Sequence, residues 1–196
     1  MEALLMQLAP LYLAREDAAR TGLAWSAHIA PERVVDAAQK LYDAGFHLED
    51  ICGLDVAEGL CAVYHYNRMD QHQRLELRVM VTHDAPQLQS ITAVYAGAEW
   101  HEREAADFYG LVFEGNPNPA PLLMPEGMQG YPLLKQSAAR VPAAALFAAA
   151  SPEREVTHRA EGFTLLDAPE PAAKPAKAAK PAKAAPAATT EAGNDA

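Results

Sequence analysis

Residues 46–81 read FHLEDICGLDVAEGLCAVYHYNRMDQHQRLELRVMV, and this run decides the fold. Phe46 to Val56, Leu60 to Tyr66 and Leu75 to Val81 are rich in β-branched and aromatic side chains. Glu58-Gly59 and the polar stretch Asn67 to Gln73 separate them, so they read as consecutive antiparallel strands. Leu75, Leu77, Val79 and Val81 alternate with Glu76, Arg78 and Met80, which buries one face and leaves the other mostly polar. Within these strands His65 reads as a hydrogen-bonded or exposed strand histidine rather than a metal ligand. Cys52 and Cys61 read as small buried hydrophobes.

Upstream, Pro31-Glu32 opens a stretch in which Val34, Val35, Ala38, Leu41 and Tyr42 recur at helical spacing up to Gly45. Trp25 to Ile29 adds a strand and Met1 to Leu8 a first helix. The sum is an α+β fold, an antiparallel sheet with helices packed on one face. Downstream, Ala98 to Tyr109 turns helical, with Glu99, Arg103 and Asp107 at i, i+4 spacing and Gly110 as the C-terminal cap. The run from Phe113 to Pro121 carries Gly115-Asn116 and then Pro117, Pro119 and Pro121, which forbids regular structure. It predicts an extended Pro-rich arm over about 111–135, closing a domain that spans 1–138. Proline lowers the entropy of the free arm, so docking costs less. In the extension 139–166 a short helix fits 141–150, and Glu155 to Leu166 favours neither helix nor strand.

From Asp167 the composition shifts to Ala, Lys and Pro, which cannot bury a core, and 167–196 reads as a disordered tail. Its Lys174, Lys177, Lys180 and Lys183 offset Asp167, Glu170, Glu191 and Asp195. The net charge of −10 therefore belongs to residues 1–166. An acidic folded part disfavours nucleic acid. The two cysteines form no Cys-x-x-Cys pair, and a reducing compartment fits. Met1-Glu2-Ala3 has no basic n-region, and the apolar run from Leu4 to Ala14 is broken by Gln7 and Pro10. Neither a signal peptide nor a membrane span is expected, so membrane contact would come through a partner.

Catalytic signatures are not found. The sequence has no G-x-G-x-x-G, no phosphate loop and no G-x-S-x-G elbow, and its histidines lack His-x-x-x-His spacing. Glu155 and His158 make a single Glu-x-x-His, read as surface charge. Ionisable groups concentrate at Glu99, His101, Glu102, Arg103, Glu104 and Asp107, beside Trp100, Phe108 and Tyr109. A purely solvated helix would hold few aromatics. The mixture predicts a partly buried charge network serving structure or an interface rather than catalysis.

The run Trp100-His101-Glu102-Arg103-Glu104-Ala105-Ala106-Asp107-Phe108-Tyr109-Gly110 is followed by Phe113-Glu114-Gly115-Asn116-Pro117, Leu122-Leu123-Met124-Pro125 and Gly130-Tyr131-Pro132-Leu133-Leu134-Lys135. Over residues 99–135 it resembles the 30 kDa subunit family of NADH:quinone oxidoreductase, the NADH dehydrogenase of respiratory complex I. The resemblance implies a peripheral, non-catalytic subunit on the cytoplasmic side of the bacterial inner membrane. No cofactor is implied for this chain, the flavin and iron-sulfur clusters residing in partner subunits. The implied partners are the 49 kDa-type quinone-site subunit and the iron-sulfur subunits. Glu102, Arg103, Glu104 and Asp107 would form the signature charge network, with Trp100 beside it, and Phe108, Tyr109 and Gly110 would pack the helix end. Phe113, Gly115, Asn116, Pro117, Pro132, Leu133 and Lys135 would lie on an arm along the partner. The chain departs from the family at Asn116, at Ala120-Pro121 and over Tyr131 to Ser137, where cationic residues are common. These departures leave open an energy-converting hydrogenase, a formate hydrogenlyase, or a complex using a donor other than NADH.

Overall fold

The computed structural model describes residues 1–125, 127–150 and 153–167. In chain order the helices and strands are α1 (Glu2–Met6), β1 (Tyr12–Arg15), α2 (Ala18–Thr21), β2 (Trp25–Ile29), α3 (Val34–Asp43), β3 (His47–Val56), β4 (Gly59–Arg68), β5 (Gln73–Val81), β6 (Gln87–Gln89), α4 (Ala98–Tyr109), β7 (Val112–Glu114), α5 (Ala143–Ala150) and β8 (Glu155–Arg159). The three strands of the 46–81 run form an antiparallel meander, with Tyr64 opposite Ile51 on one side and Leu77 on the other. The six-stranded sheet has the order β3-β4-β5-β2-β1-β8. β2 lies parallel to β5, the only parallel pair among its described strands.

Alternation along the strands creates two faces. Trp25, Ala27, Ile29, Tyr64, Leu75, Leu77 and Val79 pack with Leu5 of α1, Ala37 and Leu41 of α3 and Ala105 of α4 in the main core. Helix α3 begins after a 3-10 turn over Pro31–Arg33, where proline fits because the first N–H of a helix has no partner. On the other face Val56, Cys61 and Val63 meet Ala143 and Phe147 of α5. The polar members of that face are thereby covered too: Arg78 is 3% exposed, its guanidinium 3.8 Å from the Phe147 ring centroid. The expectation of helices on one face holds for α1, α3 and α4, and α5 adds cover on the second, partly polar face.

Three further differences follow from strand pairing and burial. Strand β1 lies in a stretch given no assignment from sequence, and β8 resolves the undecided 155–166 region by pairing antiparallel with it. Strand β7 interrupts the run thought irregular, because Phe113 is buried and its backbone pairs in parallel with β6 before the prolines begin. Cys61 is buried as expected, but Cys52 is exposed because β3 is an edge strand. The predicted disordered tail, apart from Asp167, lies outside the described residues.

The β3–β4 turn is tightly built. A Cβ on Gly59 would lie 2.1 Å from the Val81 carbonyl oxygen. Gly59→Ala is therefore expected to push apart the end of the β4–β5 ladder and cost about 2 kcal/mol. Urea denaturation would read this, and an unchanged midpoint would show that the turn tolerates a side chain.

Candidate functional site

Helix α4 holds the arm. Its outward arginine and acids do not simply pair along the helix; most of their hydrogen-bonding capacity goes to the chain that follows. Arg103 approaches Glu99 at 3.5 Å, as the i, i+4 spacing predicts. It also donates from Nε to the Ala120 carbonyl at 2.8 Å and from a terminal nitrogen to that of Pro121 at 3.0 Å. Asp107 does not form the second ion pair expected with Arg103. Its Oδ2 instead accepts the backbone N–H groups of Leu122, Leu123 and Met124 at 2.9, 2.7 and 3.0 Å. The arm turns there, presenting successive amides to one carboxylate, an anion site built from backbone.

Glu102 lies on the inner side of α4 and has no exposed surface. It accepts from Ser90 Oγ at 2.7 Å, the Ile91 amide at 2.8 Å and Asn116 Nδ2 at 2.8 Å. Burial pushes its carboxyl above the usual range, opposed by those three hydrogen bonds. It is thus a hydrogen-bonded buried acid joining the loop before α4 to the arm. Asn116 in turn accepts from the Asn118 amide at 2.9 Å and Asn118 reaches Glu99 at 3.2 Å. Glu104 is exposed, as is Trp100.

The helix ends as predicted. Gly110 has φ +75 and caps α4 with its N–H on the Ala106 carbonyl at 2.9 Å. A Cβ there would meet the Tyr131 ring at 2.6 Å, so the bare glycine is also where the returning arm crosses. Tyr109 lies over Gly53 of β3 in the same manner. The Leu133 amide donates to the Phe108 carbonyl at 3.1 Å. Between α4 and the arm lies a cleft of about 270 Å³ lined in part by Glu102, Arg103, Phe113, Asn116 and Tyr131. Phe113 is buried in the core, whereas Gly115, Pro117, Pro132, Leu133 and Lys135 are exposed.

Asp55 fastens the arm's far end, a residue that sequence reasoning missed. It accepts the Lys135 amide at 2.7 Å, His83 Nε2 lies 2.8 Å away, and Arg140 Nε is 2.9 Å from its Oδ1. The available signal was a lone acid inside the apolar run Leu54-Asp55-Val56. Ser90 was missed as well, since nothing local marks it as a partner of Glu102.

Both arm-holding acids, Asp55 and Asp107, sit below the usual carboxylate range. Burial opposes this at each, but is outweighed by the His83, Lys135 and Arg140 contacts at Asp55, and at Asp107 by the three amides and the charge of Arg103. A lowered folded value means that the stabilisation is present above the ordinary 3.8 and is lost as pH falls through the folded value. The arm is therefore expected to stay docked at neutral pH and to loosen in acid. NMR of the Leu122, Leu123 and Met124 amides would follow this, and Asp107→Asn should loosen them without acid. Amide signals indifferent to both would show that Asp107 does not hold the arm.

Comparison with known proteins places the chain in a family. Residues 27–142 match the family model described as respiratory-chain NADH dehydrogenase, 30 Kd subunit. The C-type subunit of NADH-quinone oxidoreductase from Roseiflexus castenholzii is 39% identical over 117 residues, 56% of this chain and 67% of that protein. Its counterpart in Salinispora arenicola is 38% identical over 116 residues, 55% of this chain and 47% of that protein. The chain thus spans about two thirds of one relative and about half of the other. Among solved structures, the trypsin-resistant fragment of Nqo5 is similar at a TM-score of 0.51 and 28% identity, covering 60% of this chain and 97% of that one. A chain of an archaeal respiratory membrane complex, the membrane-bound sulfane sulfur reductase, has a TM-score of 0.51 at 20% identity, covering 59% of this chain and 71% of that one. That second likeness is one of fold alone. The family match ends at residue 142, so α5 and β8 lie beyond it.

Proposed function

Because the chain belongs to the respiratory-chain NADH dehydrogenase 30 kDa subunit family, we propose that it is a cofactor-free, non-catalytic subunit of a proton-translocating NADH:quinone oxidoreductase. Its task is to scaffold the quinone-site subunit while electrons pass from NADH to quinone through flavin and iron-sulfur clusters held by partner subunits. It does so from the cytoplasmic side of the bacterial inner membrane, attached through those partners. Among the described residues no helix is long and apolar enough to cross a membrane.

One observation carries the reading: the arm's backbone is fastened inward while its apolar side chains face outward. Leu123 is 60% exposed, and Met128, Tyr131 and Leu133 are also exposed, as is Trp100 at 64% on the neighbouring helix. Exposed apolar groups in this density suit burial against another protein. Fastening the backbone beforehand removes most of the ordering cost of such docking. The glutamate, arginine and aspartate of the signature then act on the partner indirectly, by setting the path of the arm.

The test is a double variant of the full chain, Leu123→Asp with Leu133→Asp. Its melting temperature should stay within about 2 °C of the parent, since both side chains are solvated. Co-purification with the quinone-site subunit should be lost, together with NADH:quinone activity of the membranes. Retained assembly would overturn the arm as the docking surface. Assembly with hydrogenase-type subunits in place of flavin-bearing ones would overturn the assignment of the electron donor.

A further inference from the structure

The second face of the sheet carries a cluster that the scaffold role does not use. Asp50 and Cys52 alternate along the edge strand β3 and so point to the same side, and His65 of β4 stands directly opposite Asp50 in the ladder. A ring nitrogen of His65, a carboxylate oxygen of Asp50 and the Cys52 sulfur all lie within 4.8 Å of one another. His65 Nδ1 is 2.6 Å from Asp50 Oδ1. Its other nitrogen, Nε2, faces Glu76 Oε2 at 3.8 Å, and Glu76 is itself ion-paired with Arg78.

We propose that Asp50, Cys52 and His65 form a binding site for a divalent transition metal of the zinc type, with one position left open at the sheet edge. Nitrogen, thiolate and carboxylate donors together match zinc chemistry, and three protein ligands with an open position is a recurrent zinc arrangement. Metal–ligand bonds of about 2.0–2.3 Å in a tetrahedron place ligand atoms roughly 3.5 Å apart, so closure needs movements of about 1 Å, within reach of side-chain rotation. The ligands stand on two adjacent strands of one hairpin, which fixes their spacing better than loops would.

A second, independent feature points the same way. Metal-bound histidine generally donates its other ring N–H to a carboxylate, which orients the ring. Glu76 stands 3.8 Å from His65 Nε2, an ion-pair rather than a hydrogen-bond distance, and is itself held by Arg78 beneath the Phe147 ring, so a small shift lets it accept that N–H. Nδ1 faces Asp50 across 2.6 Å. The carboxylate of Asp50, with that of Glu76 behind His65, attracts a dication, which replaces the thiol proton of Cys52 on binding. On binding, the thiol proton and any proton on Nδ1 leave to solvent, and no electron moves.

The experiment uses the untagged full chain and cobalt(II) alone, which reports on zinc-type sites by absorbance. One equivalent is expected to produce tetrahedral visible bands and a thiolate-to-cobalt charge-transfer band, both displaced by zinc(II). Cys52→Ser should abolish the charge-transfer band, and His65→Gln and Asp50→Asn should each weaken binding at least about tenfold. Cys61→Ser should leave the band in place. As a readout without colour, one equivalent of zinc should slow alkylation of Cys52 by about tenfold. Absence of the band in a folded chain, or a band that survives Cys52→Ser or is unchanged in His65→Gln, would overturn the proposal. Circular dichroism of each variant separates loss of the site from loss of the fold.

Discussion

Replacing Glu102 with alanine is expected to lower stability by about 3 kcal/mol and the melting temperature by roughly 6–10 °C. The carboxylate is fully buried, and Ser90 Oγ, the Ile91 amide and Asn116 Nδ2 all donate to it. Truncation leaves those donors facing a void where water replaces the lost acceptor only in part. It also severs the link between the loop before α4 and the start of the arm. Glu102→Gln separates shape from charge: volume and one acceptor oxygen remain, but its NH2 group opposes a donor, so about half the loss is expected. The pH dependence follows from burial raising this carboxyl above its ordinary 4.5. An acid with a raised folded value contributes most below the unfolded value and loses that contribution as pH rises through the folded one. Chemical denaturation at several pH values should therefore show the parent's advantage over Glu102→Gln shrinking as pH rises above 4.5. A parent-like melt for the alanine variant would remove Glu102 from the account of how the arm is held.

Gly110→Val is expected to cost a similar amount by a different route. The φ of +75 lies in the left-handed region, where a β-branched residue is an outlier and about 1–2 kcal/mol is lost on the backbone alone. The new side chain would then occupy the space of the Tyr131 ring, 2.6 Å from its Cβ, adding about 1–3 kcal/mol of overpacking. Part of that strain can relax by lifting the arm. Trypsin cleavage after Lys135, which follows the crossing point, should accelerate at least tenfold while the strand meander stays folded, since opening by about 1.4 kcal/mol suffices for that factor. Unchanged cleavage together with an unchanged melt would show that Tyr131 does not rest on this glycine.

Much of the fold was legible because the 46–81 run repeats one pattern with clear punctuation. Leu75, Leu77, Val79 and Val81 all lie in the main core. The boundaries of α4 follow from Gly110, whose left-handed cap the sequence marks plainly. The remainder depends on distant partners. Tyr12–Arg15 is short and becomes a strand only because β2 flanks it on one side and β8 on the other. Arg78 alternates with apolar neighbours and so reads as part of a polar face, since nothing local announces that Phe147 of α5 covers it. At the site, spacing alone correctly placed Glu99 beside Arg103. The same spacing suggested a bridge to Asp107, but the amides of Leu122 to Met124 compete for that carboxylate. Helical periodicity finds neighbours within a helix and is blind to chain returning from elsewhere.

The pairing of β1 with β8 joins residues 12–15 to residues 155–159. During synthesis the first of these emerges early, and its outer edge stays unpaired until nearly all the described chain has left the ribosome. A nascent chain stalled before residue 155 would therefore present bare backbone donors and acceptors along β1, an invitation to pair with other chains. Release of β8 from the exit tunnel, rather than formation of the meander, is then the event that covers the outer edge of β1 and leaves the five-residue β8 as the described edge on that side.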